Sequence, residues 1–108
     1  MIPFSEVLQS LPDCADIDSI ELRDGGGITV GIIENKPGQS GSVRVYRTLL
    51  DRHDGRIDRA AAVAGLALYA EHTDDARRQP GRHPNIDRLL AVAAGAEGFG
   101  AFIRRRPG

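Results

Sequence analysis

Apolar positions recur at helical spacing near the start of the chain, where Phe4, Val7, Leu8 and Leu11 form one stripe. Ser5 is available as a cap and Pro12 as a stop, which predicts a short helix over residues 5–11. The period then shortens to two. Ile20 and Leu22 share one side of a strand, Asp24-Gly25-Gly26-Gly27 is turn chemistry, and Ile28, Val30 and Ile32 share one side of a returning strand. A hairpin over 17–34 follows, with both apolar sets expected inside. Gly31 within the second strand signals a bulge or a close backbone approach.

After a loop at 35–41 the helical period returns. Val43, Tyr46, Leu49 and Leu50 predict a helix over 42–53, capped by Ser40 or Ser42. Asp58 opens a long segment running to Arg78 whose interior, Ala60 to Ala70, is apolar nearly all round. Such a helix is buried on every side or lies against a partner. It is expected to pack across the hairpin, with Ala61, Gly65, Leu68, His72 and Asp75 along one stripe. Pro80-Gly81 ends it, and Ile86, Leu89, Leu90 and Ala93 mark a last helix over 85–94. Phe99–Ile103 alternates as a third strand at the sheet edge, followed by a basic tail, Arg104 to Gly108. The fold class is α+β: an N-terminal helix and an antiparallel β-hairpin packed against three helices. The expected core is Ile20, Leu22, Ile28, Val30, Val43, Tyr46, Leu50, Val63, Leu66, Ile86 and Leu89.

Composition bounds this picture without changing it. At 108 residues with 41% hydrophobic and 27% charged positions, the chain has the make-up of one ordinary domain. One cysteine excludes a disulfide framework, no apolar run is long enough to span a bilayer, and the N-terminus does not read as a signal peptide. A cytoplasmic protein with no membrane attachment is expected. Charge, by contrast, is uneven. Residues 1–35 hold one base and seven acids, whereas 36–108 hold thirteen bases and eight acids. An acidic and a basic face could meet a partner, although solvated surface charge is the simpler reading.

Most candidate motifs reduce to local structure. Gly38-Gln39-Ser40-Gly41-Ser42 precedes a helix, where backbone N–H groups can cradle a phosphate, but no lysine follows and a turn with a cap suffices. Asp13, Asp16 and Asp18 around Cys14 disfavour a thiolate nucleophile. Arg104-Arg105-Arg106 lacks interleaved aromatics, so nucleic acid is not an expected partner and a solvated tail is the simpler account. The densest polar stretch is different. His72 and Asp75 end the long helix, while His83, Asn85 and Asp87 begin the next. Two imidazoles and two carboxylates could bind a ligand, hold a metal or exchange protons, yet the spacing matches no zinc signature. Helix capping by His83 and Asn85 explains the same residues structurally. No cofactor motif is present and none is expected.

The stretch Ala70-Glu71-His72-Thr73-Asp74-Asp75-Ala76-Arg77 through Pro80-Gly81-Arg82-His83-Pro84-Asn85-Ile86-Asp87, with Pro37-Gly38-Gln39-Ser40-Gly41-Ser42, resembles a family of short bacterial proteins, domain of unknown function 2322. The likeness covers roughly residues 5–92. It implies a small bacterial single-domain protein with no assigned activity, cofactor or catalytic residue. Two function classes therefore remain. One is a non-catalytic homodimer or protein-binding module using Gly65, Leu68 and the hairpin edge. The other is a ligand- or metal-binding protein or enzyme using His72, Asp75, His83, Asn85 and Asp87.

Overall fold

The structure is a computed structural model that describes residues 2–107; Gly108 of the predicted tail lies outside them. Helix α1 (Phe4–Ser10) leads into the hairpin β1 (Ile17–Arg23) and β2 (Thr29–Glu34). Next come α2 (Ser40–Arg52), a two-residue strand β3 (Arg56–Ile57), α3 (Arg59–Leu68), α4 (Glu71–Arg78), α5 (Pro84–Ala93) and β4 (Phe99–Arg105). All strand pairs are antiparallel, in the order β2-β1-β4-β3. The α+β class stands. The last strand, however, lies inside the sheet between β1 and β3 and not at its edge.

The turn Asp24–Ile28 is held as the sequence suggests, by Asp24 Oδ1 accepting from the Gly26 and Ile28 amides. The face of β2 is the reverse of the expectation. Ile33 stands opposite Ile20 and Gly31 opposite Leu22, so Gly31 and Ile33 point to the core. Ile28, Val30 and Ile32 face outward at 66%, 46% and 54% exposure. Counting apolar residues favours the set at 28, 30 and 32, but helix packing decides. Arg88 of α5 lies over Gly31, where an added Cβ would stand 2.5 Å from its Nη2. A bulge sits beside this point, between Leu22 and Arg23.

The long helix is also corrected. It breaks after Leu68 into α3 and α4, with Ala70 at φ +53°. Buried Tyr69 donates its hydroxyl to Ser42 Oγ at 2.7 Å, and Thr73 Oγ1 donates to the Leu66 carbonyl at 2.6 Å. Those bonds satisfy groups at the break that a continuous helix would leave otherwise arranged. The stripe from Ala61 to Asp75 is thus interrupted. Packing of α3 is mainly on α5 and α2, while α2 covers the hairpin. Val63 is exposed and Leu66 half-buried against the core, while the other expected core residues of β1 and the helices are buried.

The uneven charge closes on itself. Arg104 pairs with Glu21 at 3.0 Å, Arg44 with Asp13 at 3.6 Å, Arg47 with Asp16 at 3.5 Å, and Arg105 also with Asp16. Arg106 donates to the Ile17 and Asn35 carbonyls. Instead of a solvated tail, the three arginines stitch the C-terminal strand to the acidic N-terminal third.

Candidate functional site

The corner between α4 and α5 opens onto a cleft of about 630 Å³. Its walls come from five places in the chain: Phe4 and Leu8 of α1, Ile32 of β2, the loop and first turn Gly38–Ser42, Tyr69 and His72 at the helix break, and Arg82–Ile86 with Arg88. Volumes of this size suit a small organic ligand.

Of the five candidates from the sequence, His72, His83 and Asn85 line this cleft. Asp75 stands behind His83, its Oδ2 2.6 Å from His83 Nε2, and does not pair with His72 on its own helix. The bond to His83 holds the Asp75 carboxyl below its ordinary pKa, with Arg82 at 3.9 Å adding to the effect. Asp87 is turned away and accepts from the Gly81 amide, closing the connection between the helices. Capping does not explain the histidine: His83 occupies the position before α5 but makes no side-chain cap bond, and neither does Asn85. Asn85 instead accepts from Arg88 Nη1 at 2.8 Å through its side chain and from the Tyr46 hydroxyl at 2.6 Å through its carbonyl. These contacts fix the arginine over Gly31.

The glycine–serine loop belongs to the same site, which no single-sequence signal joins to residues some forty positions away. Neither serine caps α2. Gln39 precedes the helix without a side-chain cap bond, and Ser42 Oγ is held by Tyr69. Gly38–Ser42 line the cleft, and the first turn of α2 has no side-chain cap, although the Ser40 amide is taken by the Lys36 carbonyl. Arg88 could have been suspected, because it lies three residues after Asn85 on one helix face.

Aromatic packing shapes the other wall. The Phe4 ring stacks on Tyr69 at 5.4 Å and meets His72 edge-on at 5.0 Å, and the His72 and His83 rings lie 5.7 Å apart. Glu71 Oε1 accepts from the Phe4 amide at 2.7 Å, anchoring α1 beside the cleft. Among the described residues no three His, Cys, Asp or Glu side chains converge as a metal set. Cys14 is buried away from the cleft, and burial more than Asp16 raises its thiol pKa.

Over residues 4–101 the chain matches the sequence pattern of a family described as uncharacterized protein conserved in bacteria (DUF2322). The chain belongs to this family. No curated protein matches it, and no solved structure does. The family carries no assigned chemistry, so the cleft itself is what speaks to function. Its lining holds two arginines, two histidines and an uncapped helix start, and no carboxylate.

Proposed function

We propose that this DUF2322 protein is a cytoplasmic binding protein for a small organic anion, a phosphate ester with an apolar body. The observation that carries this reading is the acid-free wall. Arg82, Arg88, His72 and His83 surround one cleft whose remaining lining is apolar or polar and uncharged. In chemistry this is a phosphate's environment: charged donors for the oxygens and the positive end of a helix dipole nearby. Phe4, Leu8, Tyr69 and Ile86 offer a dry surface to the rest of the ligand. No described helix is long and apolar enough to cross a membrane.

Titration with phenyl phosphate, followed by amide and imidazole NMR shifts, tests the reading. Shifts are expected at Gly41, Ser42, His72 and His83. Arg88→Ala is expected to weaken binding by about tenfold or more, since a hydrogen bond to a charged group contributes about 1.5–3 kcal/mol. Absence of any shift at those four residues at millimolar ligand would discard it.

A second reading, self-association, is favoured by one surface. Ile28, Val30, Ile32 and Phe102 expose apolar area on the outer sheet face beside the unpaired edge of β2. Apolar edge strands are pairing templates, and two copies of β2 could add across a twofold axis. Gly65 is buried beneath Leu49 and Leu89, and Leu68 packs on the core, so the edge rather than α3 would carry the contact. Light scattering across a dilution series should give a dimer that Val30→Lys converts to monomer. A monomeric wild type at high concentration excludes this reading.

A further inference from the structure

We infer that the cleft is an acid–base site that hydrolyses phosphodiesters, with His83 as the proton acceptor and His72 as the proton donor. The inference rests on the anion-binding reading and adds an activity to it. Its geometric basis is the arrangement of three side chains. Asp75 Oδ2 lies 2.6 Å from His83 Nε2, so the carboxylate holds that nitrogen as the N–H donor. The lone pair is thereby assigned to Nδ1, which has no hydrogen-bond partner among the described residues. His83 lines the cleft while Asp75 does not, which separates the reacting ring from the group that orients it. His72 supplies a second imidazole, with the ring centroids 5.7 Å apart and the planes tilted by 57°. Both rings line the same cleft, the volume in which a phosphoryl group would be held.

The balanced step follows from these positions. His83 Nδ1 takes a proton from water as the water oxygen bonds to phosphorus. The phosphorus–oxygen bond to the leaving group breaks, its electron pair stays on that oxygen, and protonated His72 delivers a proton there. Solvent then returns His83 to its neutral form and His72 to its charged form. Imidazole exchanges protons readily near neutrality, so two rings can divide these roles. Arg88 is poised by Asn85 to meet the charge that accumulates on the phosphoryl oxygens. Ser42 is not offered as the nucleophile because its Oγ is already engaged by Tyr69.

The test uses the full chain and bis(4-nitrophenyl) phosphate, with phenyl phosphate affinity and melting temperature measured on every variant. Wild type is expected to release 4-nitrophenolate faster than buffer. His83→Ala and His83→Gln are each expected to lower kcat by about 100-fold, the scale of general acid–base catalysis. Free imidazole should restore part of the His83→Ala loss, which a structural role for the ring would not produce. As a positioning residue, Asp75 should affect kcat without KM: Asp75→Asn lowers the former alone. His72→Ala should slow a dialkyl phosphate, followed by phosphorus NMR, more than it slows this substrate, whose leaving group departs as a stable anion. Binding of phenyl phosphate with no turnover above His83→Gln would overturn the catalytic inference and leave the binding reading intact. Failure to bind phenyl phosphate would overturn both.

Discussion

Gly98→Ala is expected to lower stability by about 3 kcal/mol, and the melting temperature by roughly 12 °C or more, for the addition of one methyl group. Gly98 lies just before β4, where the chain passes close to β3. A Cβ there would overlap the Ile57 carbonyl oxygen and stand 3.3 Å from the Asp58 Cα. Both neighbours are backbone, so no rotamer change relieves the contact. Pushing β3 away uncouples the Ile57–Phe99 pair, whose side chains are 0% and 6% exposed. It also moves Asp58, which caps α3 by accepting from the Ala61 amide at 2.8 Å. Gly100→Ala provides the control. It lies in the same strand, a Cβ there meets nothing within 4 Å, and its melting temperature should stay within a few degrees of wild type. Equal melting of the two variants would show that β3 and Gly98 do not approach as described.

That contact illustrates which parts of the molecule were legible in the sequence. Periodicity located the hairpin, α2, α5 and the alternating C-terminal strand, because each carries a local pattern that packing merely uses. Gly31 within an alternating strand signals a bulge or a close approach, and Arg88 lies over it with a bulge beside it. What the pattern missed is set by tertiary contacts or is too short to carry a period. The break at Ala70 falls on the residue type that most favours helix, and it is set by Tyr69 reaching Ser42 and Thr73 reaching Leu66. The face of β2 reverses the pattern because three apolar residues outweigh Ile33 in a count, though not against the helices above it. Strand β3 has two residues and no period to detect. The site divides in the same way. His72, His83 and Asn85 were found because α4 and α5 meet through a short connection that forces them together. Gly38–Ser42 and Phe4 join them only through tertiary folding.

Leu49→Ala is expected to cost about 2–5 kcal/mol, the range for emptying a buried leucine site, and its partner across the helix contact is Gly65. Leu49 is fully buried on α2, and Gly65 is buried on α3 where that helix meets α2 and α5. A Cβ on Gly65 would lie 2.8 Å from Leu49 Cδ1 and 2.7 Å from Leu89 Cδ1. Gly65→Ala alone therefore sets two effects against each other. Alanine favours helix over glycine by about 1 kcal/mol, whereas crowding a packed core costs about 1–3 kcal/mol. Crowding should win by a small margin, because both leucines are fully buried and have little space to rotate into. Combining the two changes alters the balance. With Leu49 shortened, the new methyl group enters part of the space left behind and only the Leu89 contact remains. Gly65→Ala should then stabilise the Leu49→Ala protein, with a favourable coupling of about 0.5–3 kcal/mol. Urea denaturation of the four proteins in the cycle measures it. Additive effects would mean that α2 and α3 stand further apart than Gly65 permits, and that small residues on α3 serve helix propensity rather than close packing.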